Sequence, residues 1–559
     1  MFRYILSLGF TLCFLTVSAQ TAYYVGAKGK DRPGYGLTVK KPFATLNYAT
    51  STLAAGDTLN VLAGTYYNPT YGDGDRWKDD KTLFVADLEG SPSAYTVIRA
   101  YSGEKVVLRG DGKYILQIRK CAYLRVEGFE VYGEVENIPL DTALAYQFAY
   151  RENGSTETLY RVPPGTSDEA VDTMTFEKLS NISRPTYTDT KGLLVQKSHH
   201  VEVVGNHVHH VPGTGLRLQQ CAYMDVIANE VHDCSRRSFS GTHALVFDSS
   251  DDYDTLDVVK MRILGNYIHD NYNEIYSWAP TKTIITPHID EGKGISLQRN
   301  DPDHGWSHGR FLVANNLTHD NGFSGLHANY GRGIDFINNT SYHDSRSGGG
   351  RNHGISLSNA TDCRIINNIV DNDASKGGFP IALDRDSYDN VIDHNLISHA
   401  ADNRTQAVAT NLTIDDPAFV DPATRDFHLS AGSPAIGAGL AAFAPETDLE
   451  GMPRSPQNPA LGAYAYYSST PTTVGPIDLQ EAKTDLSVFP NPFADRFTML
   501  GSVLENEVRV YDFGGRLVSR HGAQPGRERL NIDLSDLPDG IYFLITSDST
   551  YRMVKQTTH

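Results

Sequence analysis

The sequence predicts an all-β protein: a right-handed single-stranded parallel β-helix, that is, a solenoid, followed by a small C-terminal β-sandwich. Three observations predict it. An eleven-residue phrase recurs through the middle of the chain, an asparagine stands at the ninth place of nearly every copy, and the last residues alternate apolar runs with glycine turns. Self-similarity at a short period marks stacked repeats, in which each unit buries its apolar face only against its neighbours.

The phrase occupies residues 121–131, 198–208, 221–231, 258–268, 308–318, 331–341, 360–370 and 387–397. Its fourth and sixth places hold Leu124/Val126, Val201/Val203, Met224/Val226, Met261/Ile263, Phe311/Val313 and Ile334/Phe336. That period of two describes a strand with one buried face, so each copy supplies a strand. The ninth place is Asn206, Asn229, Asn266, Asn316, Asn339, Asn368 and Asn395, with Phe129 in the first copy. Asparagine tolerates the left-handed backbone of a tight corner, and its amide can bond the asparagine of the next coil, which predicts a ladder. The shortest interval, 23 residues from Asn206 to Asn229, is too short for two strands and a helical crossover. It fits one three-strand coil.

The ends read differently. Arg3, an apolar run over residues 5–17 and Ser18-Ala19-Gln20 have the order of a cleavable signal peptide, assigned to residues 1–20. Cys13 raises a lipoprotein alternative, but Leu12 before it is too large. No later stretch reaches the roughly 18 apolar residues of a membrane helix. Residues 468–485 are rich in Ser, Thr and Pro and read as a linker. After it come Leu486-Ser487-Val488-Phe489-Pro490-Asn491-Pro492, Val510-Tyr511-Asp512-Phe513-Gly514 and Leu537-Pro538-Asp539-Gly540-Ile541-Tyr542. Residues 486–559 therefore resemble the C-terminal sorting domain of the type IX secretion system. The resemblance implies export across an outer membrane, with the secretion machinery as partner, then release or surface anchoring.

Residues 21–467 carry a second resemblance, on the Asn corners, on the opening Lys41-Pro42-Phe43-Ala44-Thr45-Leu46 and Gly56-Asp57-Thr58-Leu59, and on the closing Asp416-Pro417-Ala418-Phe419-Val420-Asp421. Together these resemble the pectate-lyase-like β-helix superfamily, which implies an extracellular polysaccharide as substrate or ligand. An amphipathic helix over residues 44–53 is expected to plug the open core, and the closing segment to cap the far end.

Composition narrows the partners. A net charge of −18 argues against nucleic acid, whose phosphates require clustered Lys and Arg. Only Cys121, Cys221, Cys234 and Cys363 follow the signal segment. That is too sparse for a disulfide scaffold, and they read as small buried hydrophobes. A monomer is expected.

A second phrase follows each corner: Gly215-Leu216-Arg217-Leu218-Gln219, Ala244-Leu245-Val246-Phe247-Asp248, Gly294-Ile295-Ser296-Leu297-Gln298, Gly325-Leu326-His327-Ala328-Asn329 and Gly354-Ile355-Ser356-Leu357-Ser358. If the second residue of each points inward, the third and fifth face out as two polar columns along which a glycan can lie. Just before the phrase stand Thr214, His243, Lys293, Ser324 and His353. A β-eliminating lyase needs a base for the proton beside a uronate carboxylate and a cation for the charge that develops. Lys293, His327, Arg217 and His243 are the catalytic candidates, with a cationic neighbour expected to lower the Lys pKa. Gln298, Asn329, Arg299, Trp306, Arg310 and His353 are the substrate-binding candidates, with Trp306 or Tyr330 stacking on sugar rings.

Insertions at residues 133–190, 271–287 and 299–307 are placed to wall the groove. Asp290, Glu291 and Asp248 are candidate Ca²⁺ ligands or plain acidic surface. His209, His232, His269 and His319 share the twelfth place of successive copies and read as a structural stack. Residues 290–344 do not reproduce the Lys and Arg motif of chondroitinase and alginate lyases or the Asp cluster of calcium-dependent pectate lyases, and the paired Asp of polygalacturonase-like hydrolases is absent. The expectation is a polysaccharide lyase, a carbon–oxygen lyase, with a glycoside hydrolase or a non-catalytic glycan-binding or adhesive protein as alternatives.

Overall fold

The structure is a computed structural model. It describes residues 20–467 apart from 145–147, 154–155, 162–184, 239, 276–288, 290, 348–352, 374, 376–378, 385 and 399–409. In the C-terminal unit it describes residues 487–489, 496–500, 508–512, 517–522, 529–535, 537, 540–545 and 550–555. Most of the expected signal peptide, the linker and Asp290 lie outside the described residues.

One coil runs through Leu216–Gln219, Ala222–Ile227 and Glu230–His232, and each strand pairs in parallel with its counterpart one coil on. Stacking yields a first sheet of nine strands and a second and third of eleven each, a right-handed parallel β-helix. The second sheet turns Val201, Val203, Met224, Val226, Met261 and Ile263 inward, and the first adds Leu216, Leu245, Ile295, Leu326 and Ile355; all are fully buried. At about 1.5–3 kcal/mol for each such side chain, this continuous apolar column carries the stability.

The corner between the second and third sheets holds the predicted ladder. Backbone N–H and side-chain Nδ2 of Asn206 both donate to Asn229 Oδ1, at 3.0 and 3.1 Å. The same pair of bonds links Asn229 to Asn266, Asn266 to Asn316, Asn316 to Asn339, Asn339 to Asn368 and Asn368 to Asn395. The left-handed residue, however, is not the asparagine of the ladder. It is the residue before it: Gly205, Ala228, Gly265, Asn315, Asn338, Asn367 and His394 all have positive φ. The ladder asparagine instead supplies hydrogen bonds that the turning backbone lacks.

A second ladder, absent from the sequence reading, runs along the corner between the third and first sheets. Cys234 N–H donates to Asn271 Oδ1, Asn271 donates to Asn321 Oδ1, and Asn321 donates to Asp344 Oδ1. Outside the third sheet, His209, His232, His269 and His319 form the expected stack, with successive centroids 5.0, 4.8 and 5.0 Å apart and ring planes within 9°.

The helix at the start is shorter than expected, Leu46–Thr52, because Thr45 is its N-cap; it buries Leu46 and Ala49 against the core. The closing segment does not simply plug the far end. Its antiparallel strands Phe419–Asp421 and Asp426–Leu429 lay Phe419, Phe427 and Leu429 on Leu317, Ile369 and Leu396, along the flank of the third sheet. That flank presents apolar side chains outward, which require cover. All four described cysteines are free and buried, and burial pushes the Cys221 thiol up to about 12. In the C-terminal unit, a three-stranded and a four-stranded antiparallel sheet share the core of Phe497, Met499, Val508, Val510, Ile532 and Leu544, which makes the small sandwich.

Candidate active site on the nine-stranded sheet

The outward columns of the first sheet are in register. Arg217, Val246, Ser296, His327 and Ser356 pair in succession, as do Gln219, Asp248, Gln298, Asn329 and Ser358. Where glycine opens the phrase, the backbone approaches the interior closely: a Cβ at Gly325 would collide with Asp344, and one at Gly354 with Val370. Only glycine allows this close approach. His243, Lys293, Ser324 and His353 stand just before these phrases, at the same corner of successive coils.

There the charged side chains converge. Lys293 Nζ donates to Glu291 Oε2 at 2.8 Å, and His243 Nε2 lies 3.3 Å from the same oxygen. The Lys293 backbone N–H donates to His243 Nδ1 at 3.4 Å. Lys293 Nζ also lies 4.8 Å from the centre of the Phe323 ring, a cation–π contact. On the next coil, His327 Nδ1 lies 2.7 Å from Ser356 Oγ. Burial, and then the positive charge of Lys293, holds the His327 imidazole well below its usual range. His353 Nδ1 lies 3.0 Å from the Phe379 carbonyl oxygen. His243, Glu291, Lys293, His327 and His353 are each between 4 and 8% exposed, so five ionisable groups share one small volume.

This geometry redraws part of the sequence reading. Among the described residues Lys293 pairs with the Glu291 carboxylate, where a cation was expected. Arg217 and Arg299 both bind Asp248, the latter at 2.5 Å, so Arg217 sits in a charge cluster of its own. Gln298 and Asn329 are joined at 3.0 Å and lie on the expected column. Trp306 does not reach the groove. It is fully buried, packs on Phe311 at 4.7 Å between ring centres and donates to the Arg332 carbonyl. Arg310 belongs to the strand Arg310–Ala314 of the second sheet, where it binds Asp335 and Asp362. Tyr330, 43% exposed, keeps an accessible ring at the edge of the strip.

The described Ca²⁺ candidates do not fit the ion. Calcium requires six to eight oxygen ligands, whereas Asp248 is held between two guanidinium groups and Glu291 between an ammonium and an imidazole. Sequence reasoning missed Phe323, whose only signal was an aromatic residue two places before the phrase. Glu291, read as a Ca²⁺ candidate or plain acidic surface, pairs with Lys293 two residues away.

Comparisons bear on both units. Residues 487–558 match the secretion system C-terminal sorting domain. This sorting domain marks the protein for secretion or attachment at the outer-membrane surface, and no helix among the described residues is long and apolar enough to cross a membrane. No curated protein matches the chain. Among solved structures the chain is similar to the pectate lyase Pel9A, at 17% identity over 81% of this chain and 98% of that one, with a TM-score of 0.44. It is also similar to a rhamnogalacturonan lyase, at 14% identity over 72% and 90%, TM-score 0.38. A third is the GH136 lacto-N-biosidase from Eubacterium ramulus, at 12% identity over 67% and 56%, TM-score 0.32.

Proposed function

We propose that this protein is an exported polysaccharide-degrading enzyme that cleaves a uronic-acid-containing glycan by β-elimination. The observation that carries the reading is the buried convergence of His243, Glu291, Lys293, His327 and His353 on the outward face of the first sheet. Burying ionisable groups costs stability unless they are paired. A sheet that needed only solubility would leave them in water.

In this reading His327 is the base. With Nδ1–H donating to Ser356, its Nε2 lone pair takes the proton from the carbon beside the uronate carboxylate; held neutral, it is ready for that task at ordinary pH. The Lys293 ammonium faces the carboxylate and stabilises the charge that builds as the proton leaves. Glu291 and His243 hold Lys293 in place. The bond to the leaving glycosidic oxygen then breaks, a carbon–carbon double bond forms, and the leaving oxygen takes a proton from solvent. Asn329, Gln298, Arg299 and Tyr330 bind sugar units along the strip.

One observation favours a second reading, a glycan-binding protein without turnover: the strip is largely internally bonded, through Asp248 with its two arginines and Gln298 with Ser296 and Asn329. The test is incubation with defined uronate polysaccharides while following the absorbance of unsaturated product and the appearance of reducing ends. Both signals together are expected. Reducing ends without the absorbance would make the protein a hydrolase, and binding with neither signal would make it an adhesin.

A further inference from the structure

The His stack outside the third sheet has a neighbour that stacking does not explain. His207 lies off the column, and its Nε2 is 2.7 Å from His232 Nε2. Two neutral imidazole nitrogens approach this closely only with a proton or a cation between their lone pairs. Across the register, His207 faces Glu230, whose Oε2 lies 3.9 Å from His207 Nε2. Glu230 and His232 are two apart on one strand, and so project to the same side. Further carboxylates orient the rings: His232 Nδ1 contacts Asp233 Oδ2 at 2.9 Å, and His269 Nδ1 contacts Asp270 Oδ2 at 2.9 Å. A carboxylate that accepts from Nδ1 leaves the Nε2 lone pair pointing outward, the arrangement that supports histidine ligands in metal sites.

The geometry points to a binding site for a divalent transition-metal ion, of the zinc, copper or nickel class, formed by His207, His209 and His232 on the third sheet, one ligand nitrogen of each lying within 4.8 Å of the other two. His269, one coil further along the stack and 4.8 Å from His232 with its plane parallel, is held by Asp270 and Glu230. His207, tilted 33° to His232, converges on it. Nitrogen ligands of one zinc ion sit about 3.3 Å apart for bonds near 2.05 Å in a tetrahedron, so a small outward swing of His207 opens the site. The His207 side chain is 40% exposed, which leaves solvent to complete the coordination. Three imidazole nitrogens select such ions over Ca²⁺ or Mg²⁺. The ion would tie neighbouring coils together, on a face other than the proposed active site.

Titration calorimetry of the full exported chain, carrying no polyhistidine tag, with zinc chloride in a non-coordinating buffer tests this. One ion per chain is expected, with affinity about micromolar or better. His207→Gln, at a half-exposed position, should weaken binding by about tenfold or more while the circular dichroism spectrum is retained. Added zinc should raise the melting temperature of the parent chain but not of the variant, since only a ligand of the folded state stabilises it. No zinc binding by the parent chain, or equal affinity in His207→Gln, overturns the proposal. Equal binding of magnesium would overturn the assigned class of ion.

Discussion

At the residue scale, the proposed site rests on two side chains that pair chemistry with burial. Lys293→Ala removes the ammonium facing the substrate carboxylate and leaves Glu291 and His243 adjacent. We expect kcat/KM on a uronate polysaccharide to fall by about 100-fold or more with the circular dichroism spectrum unchanged; unchanged rates would remove Lys293 from the site. His327 makes a separate prediction. Because burial and Lys293 hold its pKa well below 6.5, the base stays unprotonated in mild acid. The acid limb of the kcat/KM profile should therefore lie below the usual histidine range, and a limb near 6.5 would count against His327 as the base.

Asp344 gives the clearest titration. It is buried at the end of the second ladder, accepting from Asn321, Thr318 and Ser341, and burial raises its pKa from 3.8 to about 6. A carboxyl with a raised folded pKa adds stability that is complete below the unfolded value and is lost as pH rises through the folded one. Denaturant unfolding should thus show the parent chain losing more stability between pH 4 and pH 7 than Asp344→Asn does, by roughly 3 kcal/mol at most.

At the element scale, the Asn ladder is the device that sets the coils in register. Asn316→Ala leaves the Asn266 backbone N–H without its acceptor and opens a gap between Asn266 and Asn339. Each buried donor left unmet costs about 1–3 kcal/mol, so urea unfolding should show a loss of at least about 2 kcal/mol. The ladder was legible in the sequence because one residue type recurs at one place. The left-handed position beside it was not, since Gly205, Ala228, Asn315 and His394 share a backbone conformation but no side-chain chemistry. The second ladder escaped for a similar reason: cysteine, asparagine and aspartate occupy equivalent places, joined by geometry alone.

Trp306 and Arg310 show where in-and-out reading fails. Alternation assigns faces only within a strand. Between Asn300 and Arg310 the chain leaves the first sheet, makes the short helix Pro302–His304 and enters the second. Closeness in sequence to the strip therefore carried Trp306 into the core and Arg310 to another face.

At the scale of the whole molecule, two units have separate tasks. The sorting domain over residues 487–558 addresses the protein, and the β-helix has its own continuous core. A chain ending at residue 467 should keep the far-ultraviolet spectrum and glycan binding of the β-helix yet remain inside the producing cell, as fractionation and immunoblotting would reveal. Release of the shortened chain into the medium would contradict the role of the C-terminal unit.

The sequence by itself determined the architecture: a parallel β-helix with a small sandwich after it, the inward columns, the ladder at one corner and the His stack outside. Such features repeat, and a repeated pattern reports a repeated environment. Only the tertiary structure decided which charges meet. Whether Glu291 holds Lys293, which arginines enclose Asp248 and how the closing segment lies along the third sheet depend on side chains brought together from different coils and corners. These contacts form through space, with no period along the chain to announce them.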